Sequence, residues 1–322
     1  MSAAPSLDAT IGALEIGTVI SLSLFGACTV QAYVYYRNFP DDNRVVKALV
    51  ASIWTLELVH TILVTHALYI ITVKNYGHPE ILLTPPKSLF VSVFFSGFIT
   101  PLCQAFFAQR VHAVSRKLWI ALICYAVLFV RFLAIMSLSG LGVNTPNIAL
   151  FETHNRWLIL VVLITGAVAD VLIAGSLCFF LLKKRSSLFA HTARTIDRLI
   201  ALTLETSLLT CLTTLAMLIL FLTMTNFVWL GIFVVTSRIF SNCFLASLNA
   251  RVDLRERNRS DVLEFSDRSQ HTGIAFPAQS SSFTDTARQH LSPSGFRHPE
   301  LAIHVMKEAA EFGDFKPGAI SV

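Results

Sequence analysis

The chain has 322 residues, of which 54% are hydrophobic and only 14% charged, with a net charge of +5 and a mean hydropathy of +0.64. A soluble domain carries about 25% charge, so this composition excludes an ordinary water-soluble fold and makes the bilayer the expected solvent. The apolar residues fall in runs long enough to cross about 30 Å of hydrocarbon, which takes about 20 helical residues.

Met1–Thr10 has no basic segment, so no secretory signal is expected there, and it reads as an extracytosolic N-terminal segment. Seven spans are then predicted at 11–36, 45–73, 88–113, 118–142, 157–182, 199–225 and 227–249. Turn and charge signals separate them: Arg37 to Asp42, Pro85-Pro86, Arg116-Lys117, Asn144-Thr145-Pro146 and Lys183-Lys184-Arg185. Only Thr225 and Asn226 lie between the last two, so a tight turn is required there. The fold class is therefore all-α, a polytopic seven-transmembrane-helix bundle.

Lysine and arginine set the orientation. Arg37, Arg44, Lys47, Arg110, Arg116, Lys117, Lys183, Lys184, Arg185, Arg194 and Arg198 lie at the ends of alternate connections, and Arg251, Arg255, Arg257, Arg259 and Arg268 follow the last span. That is sixteen on one side, against Lys74, Lys87 and Arg156 on the other. The N-terminus is expected outside and the C-terminus in the cytosol. Trp119, Trp157 and Trp229 sit near span ends, where interfacial anchors belong.

Residues 250–322 exchange apolar runs for Ser, Thr, Gln, Pro, His and charge, and are expected to form a basic, then Ser/Thr-rich, disordered cytosolic tail. Two pieces stand out in it. Arg251 to Arg257 is a positive flank suited to anionic lipid, and Leu301 to Phe312 carries apolar residues at roughly helical spacing.

Charges inside the spans are the most informative feature, since each costs at least about 2.5–3.5 kcal/mol at the bilayer centre. They are Glu57 and His60, Arg131, Asp170, Glu205 and Arg238. At about 1.5 Å per residue, Glu57, Arg131, Asp170 and Arg238 all come about 17–20 Å deep from their cytosolic ends. Two acids and two bases in one layer can neutralise each other. Either Asp170 pairs with Arg131 or Arg238 and Glu57 with the other, or some of these groups line a polar cavity together with Gln104, which follows Thr100-Pro101 in the third span. Glu57 and His60, three apart on one helix face, are the stronger cavity candidates. Ala13, Gly17 and Ser21 form a small-residue stripe suited to close helix contact.

Several chemistries find no support. The six cysteines all lie inside spans on different helices without a CxxC pair, and His60 and His66 share one helix, so neither disulfides nor a metal site is expected. No cofactor and no enzymatic activity are expected. A rhodopsin-like receptor would show an acidic-Arg-aromatic triplet closing the third span and Asn-Pro-x-x-Tyr closing the seventh. The chain has Gln109-Arg110-Val111 and Ser241-Asn242-Cys243-Phe244 instead.

One resemblance rests on Gly26, Gln31-Ala32-Tyr33-Val34-Tyr35-Tyr36 and Phe39-Pro40-Asp41-Asp42, on Gln104 to Val111, Ala169-Asp170-Val171 and Thr195 to Ile200, and on Ser241 to Arg251. Over about residues 11–255 the chain resembles a family of seven-helix membrane proteins of unknown function that is expanded in mushroom-forming fungi. It departs from that family in reading Arg238-Ile239-Phe240 where Lys-Leu-Tyr is frequent. The resemblance implies a multi-pass protein of the plasma membrane or an endomembrane and no established substrate.

Two function classes stay open. A receptor-like sensor would use its basic inner loops and tail against a cytosolic partner or anionic lipid. A small-solute or proton-coupled transporter would use the midplane charges directly. The sensor is favoured because seven spans without a repeat fit alternating access poorly. The bilayer is the expected partner, nucleic acid is not, and a homo-oligomer is compatible with the sequence.

Overall fold

The computed structural model describes residues 11–77, 84–145, 147–185, 190–224 and 228–271. Seven helices are long and apolar enough to cross a membrane. They are α1 (Ala13–Asn38), α2 (Arg44–Tyr69), α3 (Lys87–Ser115), α4 (Leu118–Val143), α5 (Ile148–Arg185), α6 (Ala190–Thr223) and α7 (Val228–His271). No strand occurs among the described residues. Helices are what a bilayer demands, because each backbone N–H and C=O must find its partner within the segment.

The ends follow local chemistry. A π-helical turn, Ile70–Lys74, continues α2, and Asn75 Nδ2 donates to Ile70 O at 2.8 Å just beyond it. Pro86, extended at φ −63° and ψ 142°, precedes the first residue of α3. Arg116 closes the same helix in the left-handed region, φ 53°, with its N–H on His112 O at 2.8 Å.

Three boundaries differ from the predicted ones. α5 starts at Ile148 rather than 157, because its first turns hold the polar run Glu152 to Arg156, which hides a helix from a hydropathy reading. Asn155 leaves helical geometry (φ −104°, ψ 15°), and its Nδ2 donates to Phe151 O at 3.0 Å across that kink. α6 begins at Ala190, ahead of the apolar run. α7 continues past Asn249 to His271, so residues 250–271, expected to be disordered, are helical. Thr225, Asn226, Leu301 to Phe312 and the rest of 272–322 lie outside the described residues.

The chain divides into two units. One comprises Met1–Pro40 and Val45–Asn249. Its helices turn large apolar side chains outward and small or polar ones inward. On α4, Leu118, Trp119, Leu122, Ile123, Phe129, Val130 and Leu133 are exposed, while Ala121, Cys124, Leu128, Arg131 and Ile135 are buried at helical spacing. That arrangement suits a lipid surround, where apolar exposure has no cost and close contact is made by small residues.

The small-residue stripe of α1 makes such a contact. A Cβ added to Gly17 would collide with the Gly231 backbone, and one added to Gly231 with Ala13 O. α1 and α7 therefore meet backbone to backbone. Gly97 similarly admits Ile135 and Met136 of α4 to α3, and Ser139 Oγ donates to Phe90 O at 2.8 Å across the same pair. α3 runs unbroken through Pro101. In the second unit, Asp41–Arg44 with Ala250–Val322, Arg251 Nη2 meets Asp42 Oδ2 at 2.6 Å.

Candidate functional site

Six of the seven predicted polar residues are buried, and they gather into two clusters. The first joins α1, α2 and α7. Glu57, His60 and Thr61 share one face of α2 through their i, i+3, i+4 spacing, and Arg238 of α7 inserts between them and Ser21 of α1. Its Nε donates to Ser21 Oγ at 3.0 Å. Nη1 donates to Glu57 O at 2.9 Å and to the Glu57 carboxylate, and Nη2 donates to His60 Nδ1 at 2.9 Å and Thr61 Oγ1 at 2.8 Å. A guanidinium has five N–H groups, and all five are used. Ser241 Oγ donates to the other carboxylate oxygen of Glu57 at 2.5 Å, and the Phe25 ring lies 5.4 Å from the guanidinium carbon.

This geometry fixes the state of His60. Arg238 can only donate, so Nδ1 accepts and the imidazole carries its proton on Nε2. Protonating Nδ1 would set two donors against each other. Glu57 and His60, both 0% exposed, line neither of the two cavities described below. The sequence pointed to them as the stronger cavity candidates; the Glu57 carboxylate and His60 Nδ1 face Arg238, and His60 Nε2 is buried without a hydrogen-bond partner.

The second cluster joins α3, α4, α5 and α6. Asp170 and Arg131 make no direct ion pair, and Gln104 stands between them. Its Nε2 donates to Asp170 Oδ1 at 2.8 Å, while its Oε1 accepts from Arg131 Nη1 at 3.0 Å. The amide thus presents a donor to the acid and an acceptor to the base. Thr214 Oγ1 donates to Asp170 Oδ2 at 3.2 Å. Gly166 gives the guanidinium its room, since a Cβ there would lie 2.9 Å from Arg131 Cζ, and the Phe240 ring lies 5.9 Å from Cζ.

Glu205 departs from the sequence expectation. It is exposed on α6 and belongs to neither cluster. Sequence reasoning missed Ser21, Thr61, Thr214 and Ser241 as members, because a lone hydroxyl residue in an apolar helix usually bonds its own backbone.

Two cavities flank the second cluster. One, of about 20 Å³, is lined by Gln104, Asp170, Thr206, Thr210 and Phe240 among others. The other, of about 10 Å³, is lined by Ser96, Thr100, Arg131, Thr236, Ser237 and apolar neighbours. By helix register they lie on opposite sides of Gln104. The first takes residues 104–107 of α3 and 206–210 of α6, and the second 96–100 of α3 and Met217 of α6.

Further polar contacts tie α7 to α1 and α3. Asn249 Nδ2 donates to Gln31 O at 2.9 Å, Asn242 Nδ2 to Leu24 O at 3.0 Å and Arg110 Nη1 to Ser247 Oγ at 2.5 Å.

Residues 166–253 match a family of unknown function, DUF6534. The matched stretch holds Asp170 of one cluster and Arg238 of the other, while Glu57, His60, Gln104 and Arg131 lie outside it. No curated protein and no solved structure matches the chain.

Proposed function

We propose that this chain is a receptor-like membrane sensor whose midplane charges tie helices together instead of conducting a solute. The observation that carries this reading is that each cluster ties several helices together through direct side-chain bonds. Arg238 spends all five donors on α1 and α2, and Gln104 bridges Arg131 and Asp170. The cavities beside them are about 20 and 10 Å³, enough for a water and too small for an organic solute. A protein built this way passes on a change by exchanging one set of buried contacts for another, which requires no path through the membrane. The reading includes no catalytic step.

The orientation belongs to the same proposal, with the N-terminus outside, the C-terminus in the cytosol, and the basic inner loops and tail facing a cytosolic partner or anionic lipid. The resemblance to the fungal seven-helix family supports extending it over residues 11–255, in the plasma membrane or an endomembrane. A reporter fused after Val322 is expected in the cytosol and one before Met1 outside. Glycosylation of the Asn258-Arg259-Ser260 sequon in the native chain would contradict this.

A carrier is the second reading, and the two small cavities, lined by Asp170 and by Arg131 on either side along α3, favour it. Purified protein in liposomes loaded with a pH-sensitive dye separates the two. The sensor is expected to leave an imposed pH gradient intact at the rate of protein-free liposomes. A protein-dependent proton leak that disappears in Asp170→Asn would replace the sensor with the carrier.

A further inference from the structure

Arg131 differs from Arg238 in what its donors meet. Its Nε is buried without a hydrogen-bond partner, and so is Ser237 Oγ. Arg131 and Ser237 are 3% and 2% exposed, and both line the cavity of about 10 Å³. An unmet guanidinium N–H and an unmet hydroxyl beside one small cavity are costly in an apolar surround, unless something in the cavity accepts from them.

Besides Thr100, two lining hydroxyls narrow what that something is. Ser96 Oγ donates to Val93 O at 2.8 Å and Thr236 Oγ1 to Ile232 O at 2.8 Å, so each has spent its only proton and offers lone pairs alone. The lining therefore supplies donors from Arg131 and Ser237 and acceptors from Ser96 and Thr236. A halide could take the donors but would face the lone pairs unfavourably. A group that both accepts and donates, about the size of one water, matches all four.

We propose that this cavity is a binding site for a single internal water, which accepts from Arg131 Nε and Ser237 Oγ and donates to Ser96 or Thr236. The water completes a connection between the clusters. Ser241 Oγ shares its single proton between Glu57 at 2.5 Å and the Ser237 carbonyl at 3.2 Å. From the Ser237 residue the path runs through its hydroxyl, the water, Arg131 and Gln104 to Asp170 and Thr214. The polar interior then forms one network touching α1 to α7, and this holds whether the protein senses or carries.

A high-resolution structure of the full chain in lipid nanodiscs tests the site directly, with a parallel data set in bromide. The expected result is one peak of water strength within hydrogen-bond distance of both Arg131 Nε and Ser237 Oγ. An unfilled cavity, or an anomalous bromide signal there, would overturn the proposal. The link is tested separately through thermal unfolding of Glu57→Gln, Asp170→Asn and the double variant. Their shifts in Tm are expected to be non-additive in the native background and in Ser237→Thr, which keeps the hydroxyl. They are expected to become additive in Ser237→Val, whose methyl groups take the water's place. Coupling that persists unchanged in Ser237→Val would show that no water carries it.

Discussion

Gln104→Leu is expected to destabilise the protein by roughly 2–6 kcal/mol, because one substitution strands two buried charged groups at about 1–3 kcal/mol each. Leucine has nearly the volume of glutamine, so the packing of α3 against α4 and α5 survives while Arg131 Nη1 and Asp170 Oδ1 lose their shared partner. Neither reaches bulk water, since Arg131 is 3% and Asp170 5% exposed. Thr214→Val is the matched control. It removes a hydroxyl whose one proton is shared between Asp170 Oδ2 at 3.2 Å and Thr210 O at 2.9 Å, and is expected to cost only about 0.5–1.5 kcal/mol. Equilibrium unfolding in mixed micelles measures both. A Gln104→Leu variant no less stable than Thr214→Val would mean that the amide does not hold the acid and the base apart and satisfied.

The helices were legible because membrane spans are written in long apolar runs, and six of the seven predicted residues fell in the clusters because a charged or strongly polar group in such a run has to be explained. What was not legible has specific physical causes. Pairing across helices depends on rotation about each helix axis, and helices of low amphipathicity state that weakly. The sequence therefore allowed Asp170 to pair with either arginine. The choice is settled by Gly166, which leaves space for the Arg131 guanidinium, and by Ser21, Thr61 and Ser241, which close around Arg238. Gln104 read as a cavity-lining group and is the bridge, because its amide can serve an acid and a base at once. Glu205 was grouped with the buried charges since its neighbours are apolar, yet its side chain lies on the exposed surface of α6. The long α5 and α7 exceeded their predicted bounds because hydropathy marks where a helix enters lipid, not where its backbone hydrogen bonds stop.

Glu57→Ala is expected to cost about 3–5 kcal/mol, since it leaves Arg238 charged and enclosed. Arg238 is 1% and Glu57 0% exposed, and the guanidinium loses its counter-ion while its bonds to Ser21, His60 and Thr61 hold it in place. Arg238→Met is expected to cost a similar amount, because the Glu57 carboxylate then keeps only Ser241. Replacing both, Glu57→Leu with Arg238→Met, removes the charges together and fills their volume. Exchanges of this kind are often neutral or even stabilising.

The central claim is that the midplane charges are ties between helices, and a double-mutant cycle on this pair tests it most directly. Unfolding free energies are compared for the native chain, Glu57→Leu, Arg238→Met and the double variant in one lipid-detergent mixture. The account predicts that the double variant is more stable than either single one, with a coupling of several kcal/mol. Two single variants that unfold like the native chain, with effects that simply add, would contradict it and leave Glu57 and Arg238 as independent lining groups.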